Sequence, residues 1–232
     1  MQLLWNGLTD AISLLLNRDP LVLDAAWRSL WISATAVSFA ALLGIASGSL
    51  LARRKIFARS LLVVLLRAGM GLPTVLIGLV GYSLLSRRGP LGGLELLYSP
   101  WAIVLGEICL AVPIIGTWTH SAIRGLDPRA AETALTLGAG KLRRWRTYLS
   151  ETRLSILLAL LTAFARCISE LGIAIMVGGN IPYRTQTLTT ATATETARGE
   201  LARGVAMSLI LLTIALLVTL SIAWLSRGKE PQ

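Results

Sequence analysis

Histidine is nearly missing from this 232-residue chain: His120 stands alone, and cysteine occurs twice, at Cys109 and Cys167. One histidine and two distant thiols do not supply the clustered ligands of a structural or catalytic metal site. They leave little for a nucleophile–base constellation of an enzyme. Both cysteines lie inside apolar runs, where the expected role is a small buried hydrophobe and not a disulfide. Acidic residues are also scarce, with 12 Asp and Glu against 22 Lys and Arg, a formal charge of +10. Only 15% of residues are charged, whereas 54% are hydrophobic and the mean hydropathy is +0.69. A soluble domain of this length carries a more charged surface. The cation excess is therefore read as loops facing anionic membrane lipid, with no nucleic-acid partner. A phosphate-binding P-loop is absent as well. "GAGKL" offers Gly140 and Lys141, but Leu142 follows and no glycine stands five residues before Gly140. No cofactor is expected, and any work that draws on ATP must borrow its energy from another chain.

What is present is a series of long apolar runs. A helix needs about 20 such residues to cross the hydrocarbon core. Five segments qualify: Ser29 to Ala52, Leu61 to Ser86 with Arg67 inside it, Pro100 to Thr119 with Glu107, Leu154 to Val177 with Arg166 and Glu170, and Gly204 to Ser226. The expected fold is an all-α membrane protein of about five transmembrane helices. Residues 1–25 read as an N-terminal amphipathic, interfacial segment, because Leu4, Leu8, Ile12 and Leu15 recur at helical spacing. A short inserted segment is the alternative. This N-terminus has neither a basic leader nor a small-residue cleavage site, so no signal peptide is expected. Residues 26–226 form the transmembrane domain, and 227–232 a tail. Segments 53–59, 120–153 and 227–232 hold 13 basic residues, against 7 in the other connections. The positive-inside rule then puts the N-terminus outside, and the 120–153 loop and C-terminus in the cytoplasm.

That loop contains "DPRAAETALTLGAGKLRRWRTYL". Asp127 suits an N-cap, with Pro128 at the first helical position. Small residues make a slim helix, Gly138 and Gly140 allow a turn, and a basic helix follows with Leu142, Trp145 and Leu149 on one apolar face. Two readings fit: docking into a partner's groove, or a basic loop lying on lipid headgroups. In the fourth span, Arg166 and Glu170 are one helical turn apart and can pair. They form either a gate or pathway lining for an anion, or a structural ion pair, since ionisable groups at membrane depth seldom stand alone. Arg67 is expected to snorkel. Seven threonines from Thr185 to Thr196, Thr189 and Thr190 among them, crowd the connection before the last span. They are either oxyanion donors or local partners of the backbone.

The "AAETALTLGAG" stretch resembles the cytoplasmic loop of permease subunits in binding-protein-dependent ABC importers, whose pattern is E-A-A-x-x-x-G. Glu132, Thr133 and Ala134 match with one substitution, and Gly138 falls at the required place. Tyr148, Ser150 and Glu151 depart from the I-x-L-P that ends the pattern. The resemblance runs from about Trp27 to Trp224 and includes "GLPTVLIGLVGYSLLSRRGPLG". The core at Arg166, Glu170 and Gly172 resembles oxyanion permeases, and "MVGGNI" followed by "RTQTLTTATATETARGE" is most similar to the tungstate type, with molybdate and sulfate as near alternatives. The resemblance implies the type I importer fold and a coupling loop in which Asp127, Glu132, Thr133, Ala134, Gly138 and Lys141 meet the ATPase. It also implies a candidate pathway at Arg166, Glu170, Gly172, Thr189 and Thr190. The implied partners are a second copy of the chain, two ABC ATPase subunits and an extracytoplasmic oxyanion-binding protein, in the cytoplasmic membrane. An ion-driven secondary transporter is the rival from another class; it needs midplane carboxylates and, usually, inverted repeats, and no repeat is visible.

Overall fold

Asp19 starts the first long helix. Its carboxylate accepts hydrogen bonds from the backbone N–H groups of Leu21 (3.0 Å) and Val22 (3.2 Å), with Pro20 between them at the first helical position. The computed structural model describes residues 11–226 apart from 15, 54–58, 128–135, 137 and 139. Helix α1 (Pro20–Arg53) is continuous through the expected boundary at 25/26, so residues 20–25 belong to the helix that forms the first span. The break before it falls at Arg18, whose φ is +54°. The described part of the expected interfacial segment is short; within it Ala11 is buried against Val22, Leu188 and Met207.

The remaining helices are α2 (Arg59–Gly69), α3 (Thr74–Leu85), α4 (Pro100–Arg124), α5 (Lys141–Glu151), α6 (Arg153–Ile168), α7 (Gly172–Gly178), α8 (Leu188–Ala197) and α9 (Leu201–Ser226). No strand occurs among the described residues. Three helices, α1, α4 and α9, are long and apolar enough to cross a membrane unbroken. The second and fourth expected spans are not single helices. They are the pairs α2–α3 and α6–α7, bent by 101° and 59°, so the total is five when each pair counts as one span. In the first pair the sequence Gly69-Met70-Gly71-Leu72-Pro73 explains the break. Pro73 cannot continue the hydrogen-bond ladder and restricts Leu72, while the glycines turn at low steric cost. The second break has no proline and depends on Glu170, described below.

Helices α1 and α4 run parallel and make the most extensive contact in the bundle. Small residues on α1 permit it. A Cβ on Gly44 would lie 2.8 Å from the Ile115 Cβ, and one on Gly48 would lie 2.5 Å from the Gly116 carbonyl oxygen. This four-residue spacing lets two backbones approach in the manner of membrane helix pairs. Ile32, Ala36, Ile103, Leu110 and Ile115 fill the seam, and Ile173 and Cys167 close it from α7 and α6. A second cluster joins the start of α1 to α8 and α9 through Val22, Leu188 and Met207. Most of α9 faces outward: only 17% of its apolar window is buried, and Leu212, Leu216, Leu217, Leu220 and Trp224 are exposed. In water such a surface would be costly; in a bilayer it is the lipid-facing side.

Candidate functional site

The packing brings Arg53, Arg124, Lys141 and Arg153 to one end of the bundle, where α1 and α4 end and α5 and α6 begin. Asp127 is exposed just past α4. Glu132, Thr133 and Ala134 of the expected coupling helix lie outside the described residues. Gly138 has φ +69°, the left-handed conformation that a side chain resists, and a Cβ on it would meet none of the described residues. Lys141 then opens α5. This helix is pinned to α1 at two points. Trp145 Nε1 donates to Ser49 Oγ (3.1 Å), and the Arg53 guanidinium sits 3.6 Å over the Tyr148 ring. The inward face is therefore set by Trp145 and Tyr148. Leu142, expected on the apolar face, is 61% exposed and lines an open cavity beside Leu50 of α1.

The second cluster lies at the α6–α7 bend. Arg166 Nη1 donates to Glu170 Oε2 at 2.8 Å, so the expected pair forms. Its two members are not equivalent: the Arg166 side chain is 40% exposed, the Glu170 side chain 2%. Glu170 Oε1 accepts from the Ile173 backbone N–H at 3.1 Å, three residues on, and so caps the first turn of α7. The carboxylate thus links the end of α6 to the start of α7 across the bend. Guanidinium carries five N–H donors, and the bond to Glu170 uses one of them, leaving a half-open cation beside the break. Gly172 is needed for close approach, since a Cβ there would lie 3.0 Å from Thr74 Oγ1 and 3.2 Å from the Val75 nitrogen. Thr189 Oγ1 donates to the Glu170 carbonyl (2.8 Å), which ties α8 to the same bend.

The other threonines bond mainly to local backbone. Thr190 is fully buried, and with Thr187 it builds a capping box at the start of α8. Thr185 Oγ1 donates to the Gly178 carbonyl, Thr192 to that of Leu188 and Thr194 to that of Thr190. Of the sequence-selected pathway residues, the structure brings Arg166, Glu170, Gly172 and Thr189 together; Thr190 faces the capping box instead.

Three features lie outside the residues selected from the sequence. Arg28 holds Asp24 with two bonds (2.7 and 2.9 Å) and donates to the Gln186 carbonyl at 3.2 Å. The i, i+4 spacing of Asp24 and Arg28 was a legible signal; the reach across 158 residues was not. Glu107 is 2% exposed in α4, with a side-chain hydrogen bond from Ser33 on α1, and its Oε2 has no partner among the described residues. At the opposite end from Arg53, buried Glu195 meets Arg198 (3.0 Å) and Arg203 (3.7 Å), and Arg203 also reaches Asp19 at 3.6 Å.

Residues 40–230 match the family of binding-protein-dependent transport system inner membrane components. The chain belongs to that family, whose members are the permease parts of ABC transport systems. Among similar proteins, a probable anion ABC transporter permease of Haloferax volcanii is 36% identical over 193 residues, covering 81% of this chain and 83% of that protein. A tungstate uptake system permease of Peptoclostridium acidaminophilum is 33% identical over 215 residues, 93% and 94% of the two chains. The molybdenum transport system permease of Escherichia coli K12 is 32% identical, covering 89% of this chain and 97% of its own.

Proposed function

We propose that this chain is the membrane-spanning permease subunit of an ATP-driven importer for a tetrahedral oxyanion, with tungstate as the principal cargo. The observation that carries the cargo is the end-to-end similarity to tungstate uptake permeases, 33% and 31% identical over about nine-tenths of this chain. Molybdenum and sulfate permeases are similar over most of it, which makes molybdate and sulfate the second reading. Five spans form half a pathway, so the working unit is a homodimer with two ATPase subunits and an external oxyanion-binding protein. In this reading the N-terminus is outside, and the Arg53–Lys141 end faces the cytoplasm, as the basic residues require. ATP binding draws the two ATPases together, and the 120–153 loops carry that motion into the spans.

An oxyanion cannot enter hydrocarbon without donors or positive charge along its route. The half-open Arg166 guanidinium supports a place on that route. Buried Glu170 orients it and caps α7, so a change in the 59° bend would move the cation. Cargo choice lies mainly with the binding protein. The test is reconstitution of the permease with its ATPase and the binding protein encoded beside it, measuring ATP hydrolysis as each solute is added. Stimulation by tungstate is the expected outcome. Stimulation by an amino acid or sugar, with none by tungstate, molybdate or sulfate, would refute the oxyanion assignment and leave the importer assignment standing.

A further inference from the structure

Between the end of α1 and the start of α5 lies a cavity of about 840 Å³. That is within the ~300–1,000 Å³ of ordinary small-ligand sites. Arg53, Lys141 and Arg144 line it together with Leu50, Leu142 and Trp145. The three cations have no carboxylate partner among the described residues, where every ion pair lies elsewhere. Arg144 Nε is buried and has no hydrogen-bond partner there. Gathering like charges in one concavity is unfavourable unless an anion completes it. The start of α5 adds to the positive potential: Gly140 provides no side-chain cap, so the first-turn N–H groups and the helix dipole face the same end.

We infer that this cavity binds the phosphate of an anionic phospholipid. A soluble anion needs only the cations, but the wall is half apolar. Leu50 and Leu142 are 44% and 61% exposed, and α1 carries exposed Leu42 and Leu43 further along the spanning helix. An acyl chain leaving the cavity along Leu50 therefore meets continuous apolar surface. Trp145, anchored on Ser49, is the residue type that settles at the membrane–water boundary. Phosphate among the cations with chains along α1 satisfies both halves of the wall. The lipid would brace α5 against α1, the contact through which movement of the 120–153 loop reaches the spans. The site requires only that this end of the bundle lie at a membrane surface; the identity of the cargo does not enter.

The experiment uses the purified permease–ATPase complex and native mass spectrometry. Phosphatidylglycerol and phosphatidylcholine are titrated separately, and inorganic phosphate is added in competition. Wild type retains phosphatidylglycerol over phosphatidylcholine, and phosphate at the lipid's concentration does not displace it. The double variant Lys141→Gln, Arg144→Gln weakens phosphatidylglycerol about 30-fold, about fivefold for each cation near the headgroup. Arg144→Lys retains the lipid, and Arg146→Gln, outside the cavity on the same helix, binds as wild type does. Equal retention of both lipids by wild type would overturn the proposal. So would undiminished retention by the double variant, or displacement by phosphate, which would mark a soluble-anion site; the wild-type arms decide even where a variant fails to fold.

Discussion

Replacing Glu170 tests how one carboxylate holds the α6–α7 bend. Its side chain makes two hydrogen bonds, at 2.8 Å to Arg166 and 3.1 Å to the Ile173 N–H. A hydrogen bond to a charged partner contributes about 1.5–3 kcal/mol, and a lost N-cap costs about 0.5–2 kcal/mol. Glu170→Ala removes both, so the expected destabilisation is about 2–5 kcal/mol. Glu170→Gln keeps a carbonyl for Ile173 and loses the ionic contact, which places it near the lower end of that range. Arg166→Gln should cost less than Glu170→Ala, about 1.5–3 kcal/mol, because the buried Glu170 carboxylate loses its cation but keeps the Ile173 bond. The assay is thermal unfolding of the detergent-purified complex, with oxyanion-stimulated ATP hydrolysis measured in parallel. At roughly 2–4 °C per kcal/mol for a chain of this size, Glu170→Ala should lower the midpoint by about 4–20 °C. If Arg166 supplies charge to the pathway, Arg166→Gln loses stimulation although its midpoint falls less than that of Glu170→Ala. An unchanged midpoint for Glu170→Ala would refute the capping role. Full stimulation in Arg166→Gln would leave the pair a structural feature only.

Two further outcomes are expected. Gly138 has φ +69° and a Cβ on it would clash with none of the described residues, so Gly138→Val acts through backbone strain, about 1–2 kcal/mol; co-purification with the ATPase should fall while membrane insertion persists, and Glu132→Lys should weaken assembly likewise. The membrane orientation is tested by a cysteine at Lys141, which should resist an impermeant thiol reagent in intact cells, and one at Gly93, which should react. Gly93 is the suitable position in that connection because a Cβ there meets nothing among the described residues, whereas at the adjacent Gly92 it would clash with the Ser86 carbonyl oxygen; the reverse labelling pattern would overturn the orientation.

The sequence by itself determined that this is a helical membrane protein, where its apolar runs lie, and that its cations concentrate in three connections. These are one-dimensional properties: run length is measured against bilayer thickness, and loop charge against the lipid surface. It also determined that Arg166 and Glu170 can meet, because residues four apart share a helix face. The resemblance of residues 127–138 to ABC importer permeases, and of 176–200 to their oxyanion branch, was equally legible, being a matter of residue order. Tertiary structure decided what each group does once it meets the rest of the chain. Arg166 is half-open and Glu170 closed where the 59° bend turns the Glu170 carboxylate to the Ile173 N–H and its carbonyl to Thr189 of α8, contacts that periodicity does not record. Threonine hydroxyls that look like anion donors in the sequence bond to carbonyls of the chain, since helix starts and tight turns leave backbone groups to satisfy. The second span breaks at Pro73, a visible signal, but the close packing of Gly69 against Pro113 of another helix beside that 101° turn was not. Arg53, Lys141 and Arg144 become one site only because Trp145 and Tyr148 hold α5 to α1. Local geometry fixes which neighbours along the chain can touch; burial and charge balance come from residues distant in sequence, and so appear only in the folded bundle.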